Sequence, residues 1–150
     1  MLKTSLMERE MGEKVAFIGL GAMGGPMAQN IVKKGTKLSV YDIEKSKMDP
    51  LIDLGSKPGK SIKDTIENAE IIITMLPSTD NVRSVICSPE GVLSFAKPGS
   101  IILDMSTIAP TGTDEVYDLC RQKDLDFIDA PVGRLVSHAI SRRFSFYGRL

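Results

Sequence analysis

Residues 14–35 read KVAFIGLGAMGGPMAQNIVKKG, and this stretch decides the fold. The apolar run 15–18 predicts a β-strand, glycines follow it in G-x-G-x-x-G spacing, and a helical pattern begins directly behind them. Gly35 stands where a glycine commonly ends a helix. In this strand–turn–helix context, the glycine spacing is typical of a loop that binds the pyrophosphate of a dinucleotide.

Each glycine has its own role in that prediction. Gly19 allows the tight turn, and Gly21 lets the backbone approach the phosphates without an intervening Cβ atom. Gly24 lets the helix pack closely on the strand. The first N–H groups of a helix have no partners within it, so they face the anion at the positive end of the helix dipole.

An acidic residue ends the second predicted strand. Residues 38–42 read LSVYD, and Asp42 follows the glycines by about 20 residues, where a carboxylate accepts hydrogen bonds from the adenosine ribose. A carboxylate there repels a 2′-phosphate and so favours NAD over NADP, although Lys45 and Lys47 are near enough to keep NADP open. The alternative interpretation is an ordinary α/β turn with a surface aspartate.

Length and charge narrow the class of protein. The 150 residues predict one domain with a sizeable core, and 19 basic and 19 acidic residues give a formal net charge of zero. Zero net charge argues against binding to nucleic acid or to a membrane surface, since both depend on excess positive charge. No apolar run approaches the roughly 20 residues that a membrane-spanning helix requires.

The two cysteines, Cys87 and Cys120, do not form a C-x-x-C pair. Neither a disulfide framework nor a zinc site is therefore indicated, and no metal site is predicted. We interpret both as structural thiols of a protein in the reducing cytoplasm.

Short apolar runs alternate with helical segments along the chain, which predicts an α/β protein: a Rossmann-type, doubly wound, mainly parallel sheet. Strands are expected at 15–18, 38–42, 71–76, 100–104 and 125–129, with a weak one within 55–60. Helices are expected behind the glycines, at 44–54 despite Pro50, from the cap Ser61 to about 68, from about 80, and at 110–122.

Ligands of such folds bind outside the carboxyl ends of the strands. Three segments fall there: Leu76 with Pro77, the segment 104–107 and the segment 129–134. These are site candidates by position alone. The alternative is ordinary loop chemistry, with a proline that ends a strand and a Ser–Thr pair that caps a helix.

The segments 17–28, 72–77, 104–110 and 129–134 read FIGLGAMGGPMA, IITMLP, DMSTIAP and DAPVGR. In this order and spacing they resemble the β-hydroxyacid dehydrogenase family, the 3-hydroxyisobutyrate dehydrogenase-like enzymes. The resemblance covers residues 14 to about 140 and implies a nucleotide-binding domain there. It also implies a nicotinamide cofactor, a small acidic aldehyde or 3-hydroxy acid as substrate, and homo-oligomers among full-length members.

The resemblance implies roles for particular residues on the cofactor side. The backbones of Ala22 and Met23 would contact the pyrophosphate, and Asp42 would hold the ribose. Leu76 and Pro77 would line the adenosine and nicotinamide-ribose side, and Thr107 would contact the nicotinamide half.

On the substrate side, Ser106 and Thr107 belong to the family's signature. Family members commonly carry Ser-Gly-Gly where this chain has Gly133, Arg134 and a leucine. An arginine offers a planar fork of N–H donors to a carboxylate or a sulfonate. The segment resembles the 3-sulfolactaldehyde reductase branch, with 3-hydroxyisobutyrate and tartronate semialdehyde as alternative substrates. The simpler alternative is that Arg134 is only a different loop residue.

The resemblance further implies a proton-transferring lysine and an all-helical second domain, both beyond the nucleotide domain, and neither has a match here. Residues 1–13 are interpreted as a loose extension. Residues 141–150, SRRFSFYGRL, depart from the family pattern and suggest a truncated or frameshifted end. We therefore expect the nucleotide-binding half of an NAD-dependent dehydrogenase, inactive alone. The alternative is a non-catalytic NAD-binding or interaction module.

Overall fold

The computed structural model of this chain describes residues 14–132. The predictions for 1–13, for Gly133 and Arg134, and for 141–150 lie outside these residues. Within them, six short strands form one sheet: β1 (Val15–Ile18), β2 (Leu38–Tyr41), β3 (Lys57–Pro58), β4 (Ile71–Thr74), β5 (Ile101–Asp104) and β6 (Asp126–Asp129).

All neighbouring strands pair in parallel, in the order β3-β2-β1-β4-β5-β6. The chain winds outward from β1 to β3, crosses back to β4 beside β1, and winds outward the other way. This is the predicted doubly wound Rossmann arrangement. It places the topological switch point between β1 and β4, where the chains leave the two strands in opposite directions and open a crevice.

Six α-helices connect the strands: α1 (Gly24–Lys33), α2 (Asp49–Ile52), α3 (Ile62–Ile66), α4 (Thr79–Cys87), α5 (Val92–Phe95) and α6 (Pro110–Arg121). The predicted cap Ser61 accepts from the N–H of Asp64, and Ser78 caps α4 in the same way through Asn81. Gly35 adopts φ +89° and donates to the carbonyl of Val32, which ends α1 as expected.

Alternating side chains of the strands build a separate core on each face of the sheet. In β1, Ala16 and Ile18 face the cluster formed with α3 to α6, while Val15 and Phe17 face the cluster formed with α1 and α2. Strands covered on both faces read as continuous apolar runs, and this is why β1 and β4 lack polar alternation.

The structure refines several predicted boundaries. The segment 44–54 folds as a 3₁₀ turn (Lys45–Met48) followed by α2, and Pro50 lies in the first turn of α2, where its missing N–H costs no helical hydrogen bond. β4 ends at Thr74, two residues early, and α5 has no counterpart in the sequence prediction. Within residues 14–132, no helix is long and apolar enough to cross a membrane.

Candidate functional site

A cleft of about 660 Å³ opens at the carboxyl ends of β1, β2 and β4, at the switch point of the sheet. One wall is the glycine loop and the start of α1, and the other is α4 with the loop before it. Two smaller cavities, of about 240 and 340 Å³, lie at the amino ends of the strands, away from the glycine loop. The lining of the large cleft is Ile18, Gly19, Gly21, Ala22, Met23, Gly24, Tyr41, Asp42, Ile43, Lys47, Ile62, Met75, Leu76, Pro77, Asn81, Ser84, Val85, Ser88 and Glu90.

Two glycines of the loop are required by the fold itself. Gly19 has φ +96°, and a Cβ atom there would collide with the carbonyl oxygen of Met75 at the end of the neighbouring strand. A Cβ atom on Gly24 would collide with the carbonyl oxygen of Gly19. These contacts draw the loop tightly between β4 and α1.

Gly21 differs from both, because a Cβ atom there would meet no protein atom within 4 Å. Gly21 lines the cleft, and packing within residues 14–132 does not require a glycine at this position. In the same turn, no hydrogen bond among those residues uses the N–H groups of Ala22 and Met23. The loop thus presents free backbone donors beside a space kept open by a glycine, which fits a phosphate group.

Asp42 lies just past β2 with only 8% of its surface exposed. One carboxylate oxygen accepts from the N–H of Leu20 at 2.8 Å, and the other accepts from the N–H of Glu44, also at 2.8 Å. The carboxylate therefore fastens the glycine loop to the end of β2. Each oxygen keeps further acceptor capacity, so these bonds leave room for a ribose hydroxyl.

A second polar network joins the loops that follow β4 and β5. Asp104 Oδ1 accepts from Thr74 Oγ1 at 2.9 Å and from Ser106 Oγ at 2.6 Å, and also from the Ser106 N–H at 3.1 Å. Ser106 Oγ accepts in turn from the N–H of Leu76 at 2.8 Å. Thr74, Asp104 and Ser106 have no exposed surface, so the network is a buried clamp behind the cleft.

Burial raises the pKa of Asp104 above its ordinary value. The hydrogen bonds from Ser106 and Thr74 act in the opposite direction, and the charge of Asp129, its register partner on β6, adds to the rise. Asp104 Oδ2 has no hydrogen-bond partner among residues 14–132. A buried, half-partnered carboxyl favours its protonated form, which is the physical cause of the raised pKa.

The structure brings most of the predicted cofactor residues together. All of those predicted from the glycine loop, β2 and β4 line the cleft: Gly19, Gly21, Ala22, Met23, Gly24, Asp42, Leu76 and Pro77. Ser106 and Thr107 do not line it: Ser106 is buried in the clamp and Thr107 is exposed outside. The pair does not cap α6 either, because the residue before α6 is Ala109, which makes no side-chain cap.

Sequence reasoning missed the far wall of the cleft. Ile62 comes from α3, and Ser84, Val85 and Ser88 come from α4 and its end. Their spacing is that of any amphipathic helix, so no sequence signal marked them. Ile43 could have been found, since it directly follows Asp42, and at 91% exposure it stands open to solvent at the cleft.

Metal-ligating residues do not gather in the described part of the chain, where no group of three histidine, cysteine or acidic residues could hold an ion. Both cysteines are free thiols, Cys120 buried and Cys87 half-buried. Among residues 14–132, the cleft thus offers backbone donors, the buried carboxylate of Asp42 and a lining that mixes apolar side chains with polar and charged ones, Lys47 and Glu90 among them.

Together, the sheet order, the glycine loop and the cleft define a dinucleotide-binding domain of the Rossmann class. The sequence profile of the NAD binding domain of 6-phosphogluconate dehydrogenase matches residues 14–146, and the chain belongs to this family, on its 3-hydroxyisobutyrate dehydrogenase-like side. The resemblance drawn from the four sequence segments is therefore confirmed.

Among curated proteins, 3-sulfolactaldehyde reductase of Escherichia coli K12 is 39% identical over 127 residues, which cover 85% of this chain and 43% of that protein. Among solved structures, 3-hydroxyisobutyrate dehydrogenase of Mycobacterium tuberculosis with L-serine superposes with a TM-score of 0.85 at 31% identity, covering 92% of this chain and 46% of that one. The structure of Psf3 in complex with NADP⁺ and 2-OPP superposes with a TM-score of 0.86 at 26% identity, covering 89% of this chain and 48% of that one. The chain spans less than half the length of each.

Proposed function

We propose that this chain is the nucleotide-binding half of an NAD-dependent dehydrogenase that acts on a small acidic aldehyde or 3-hydroxy acid. The observation that carries the proposal is Gly21. No atom of residues 14–132 lies within 4 Å of the place where its Cβ atom would stand, and no hydrogen bond among those residues uses the neighbouring N–H groups of Ala22 and Met23. A pyrophosphate in that space would be held by backbone donors at the start of α1.

The remaining cofactor contacts follow from the cleft. Asp42 would accept from the adenosine ribose, and Leu76 and Pro77 would line the opposite side. Thr107 would reach the nicotinamide half from its exposed position. The nicotinamide supplies the hydride chemistry when bound, and this domain orients it, with Ile62 of α3 and Val85 of α4 as apolar contacts in the cleft.

NAD is the proposed form of the cofactor. The carboxylate of Asp42 at the end of β2 would repel a 2′-phosphate, and both of its oxygens are already fixed by Leu20 and Glu44. Against this stands the likeness to Psf3, whose structure holds NADP⁺. Affinities for NADH and NADPH decide between them.

The substrate is proposed to be a small sulfonate or carboxylate, first of all 3-sulfolactaldehyde. The likeness to 3-sulfolactaldehyde reductase supports this branch, and Ser106, Gly133 and Arg134 are the substrate-side residues it implies. 3-Hydroxyisobutyrate and tartronate semialdehyde are the alternatives, and the M. tuberculosis structure with L-serine adds another small carboxylate. Homo-oligomers and a cytoplasmic location stay predictions.

The 150-residue chain by itself is proposed to bind nucleotide without turnover. Among residues 14–132, Lys47 is the one lysine that lines the cleft, and it lies beside Asp42 at the proposed ribose end. Proton transfer to the substrate oxygen needs a group within hydrogen-bond reach of the nicotinamide end. Measurable reduction of sulfolactaldehyde or tartronate semialdehyde by the purified chain would contradict this.

The first experiment is a thermal melt of the chain alone, with NADH and with NADPH. A ligand that binds only the folded state stabilises it by about 2.7 kcal/mol at a hundredfold excess over Kd. A higher melting temperature with NADH than with NADPH supports the proposal. An unchanged transition with both nucleotides would refute it.

A further inference from the structure

The turn behind Asp42 carries an ion pair at the mouth of the cleft. Lys47 Nζ lies 2.9 Å from Glu44 Oε2, and the two side chains are 41% and 61% exposed. Lys47 lines the cleft together with Asp42 and Ile43, whereas Glu44 does not. The lysine thus faces the proposed adenosine end of the site, and its charge is engaged from outside the cleft.

Lys47 is the only cation in the lining that residues 14–132 provide. Its hydrogen bond to Glu44 raises its pKa above the ordinary value, and the negative charges of Asp42 and Glu44 add to the rise. The ammonium group is therefore charged at neutral pH. Among residues 14–132, the carboxylates of Asp42 and Glu44 lie beside Lys47, and the lysine is already paired with Glu44.

We propose that Glu44 is a specificity-determining residue: by pairing with Lys47, it withholds a cleft cation that could bind the 2′-phosphate of NADP. This inference rests on the proposed nucleotide site. Once Glu44 loses its charge, Lys47 is free to turn to the phosphate and to offset the repulsion by Asp42. A lysine suits this role, since its flexible stem and compact charge can follow a phosphate.

The size of the effect follows from the exposure of the pair. An exposed ion pair is weak and screened by salt, so Glu44 reduces the affinity for NADPH without abolishing it. NADH lacks the 2′-phosphate, and its affinity should not depend on which partner Lys47 takes. The backbone N–H of Glu44, which holds Asp42, is unchanged by substitution of the side chain.

The experiment is a double-mutant cycle of E44Q, K47Q and E44Q/K47Q in the full chain, with K45Q as the matched control. Lys45 lies on the same 3₁₀ turn and is exposed, but it does not line the cleft. Dissociation constants for NADH and NADPH are measured by calorimetry at low ionic strength. 5′-AMP and 2′,5′-ADP, which differ only by the 2′-phosphate, serve as probes of the adenosine end.

E44Q is expected to tighten the binding of NADPH and 2′,5′-ADP by roughly fivefold, the scale of one exposed ion pair, and to leave the affinities for NADH and 5′-AMP unchanged. The gain should disappear in E44Q/K47Q, and K45Q should behave as the wild type. An equal gain in the K47Q background would overturn the proposal, because Glu44 would then act by simple repulsion. So would an unaltered NADPH affinity in E44Q. If the wild type binds NADH but the variants of the cycle do not differ in their affinity for NADPH, only this inference fails. If the wild type binds neither nucleotide, the proposed function fails as well.

Discussion

The hydroxyl of Ser106 accepts a hydrogen bond from the backbone N–H of Leu76 at 2.8 Å, although the two residues are separated by 30 positions. The same hydroxyl donates to buried Asp104 at 2.6 Å. One side chain therefore joins the loop after β4, which lines the cleft, to the loop after β5, which does not.

Ser106→Ala should lower the free energy of unfolding by about 1–3 kcal/mol, because it leaves the Leu76 N–H unpartnered and removes a donor to Asp104. Thr107→Ala is the neighbouring control. Because Thr107 is exposed, this control substitution should change the free energy of unfolding by no more than about 0.5 kcal/mol. Urea denaturation without nucleotide measures both. Equal stability of the two variants would show that the clamp contributes nothing.

Gly21→Ala and Gly24→Ala should separate binding from folding. The new methyl group at position 21 meets no atom of residues 14–132, so the free energy of unfolding should change by less than about 1 kcal/mol, while NADH affinity falls by at least roughly tenfold. At position 24 the methyl group would collide with the carbonyl oxygen of Gly19, so the free energy of unfolding should fall by about 1–3 kcal/mol or more.

Calorimetric titration and chemical denaturation of each variant test this pair. A Gly21→Ala variant that binds NADH as the wild type does would argue that the open side of Gly21 is not a phosphate position.

Asp42→Asn should destabilise the protein even in the absence of any nucleotide. The amide nitrogen is a donor, and it would face the N–H of Leu20 or of Glu44 in place of a carboxylate oxygen. The expected loss is about 1–3 kcal/mol. Asp53→Asn, at an exposed position, is the control and should be near neutral. No loss in the Asp42 variant would mean that the carboxylate serves only a ligand.

Asp104 should make stability depend on pH. Its folded-state pKa lies above the unfolded one, so the folded state holds the proton more tightly than the unfolded state does. The contribution to stability is complete below the ordinary value of 3.8 and is lost as pH rises through the raised pKa. Asp104→Asn lacks this titration, so its stability relative to the wild type should rise with pH. A constant difference from pH 3 to pH 8 would contradict the assignment.

Both thiols should react slowly in the folded protein. Burial raises the pKa of Cys120 to about 12, and the charge of Cys87 contributes to the rise. The pKa of Cys87 is also raised, first by burial and then by the charge of Glu115. At pH 8 roughly one Cys120 thiol in ten thousand is ionised, and the thiolate is the reactive form. A colorimetric thiol reagent should label both cysteines rapidly only in denaturant. Rapid labelling of the native protein would show that α4 and α6 open frequently.

Sequence patterns predicted the sheet, the glycine loop and Asp42 because these depend on local chemistry. An apolar run buried on both faces reads the same wherever it lies, and Gly19 is required by its own φ of +96°. α5 was missed because its four residues, VLSF, are too few to show the repeat of apolar residues that marks a helix. The end of β4 was misjudged because Met75 and Leu76 are as apolar as the strand itself.

The sequence by itself thus determined the class of fold, the position of the dinucleotide loop and the acid at the end of β2. Only the tertiary structure decided that Asp42 also fastens that loop and that Ser106 is held behind the cleft by the N–H of Leu76. The reason is physical. Backbone propensity and periodicity act over a few residues, whereas hydrogen-bond partners and burial are set by strands that meet across 20 or more positions.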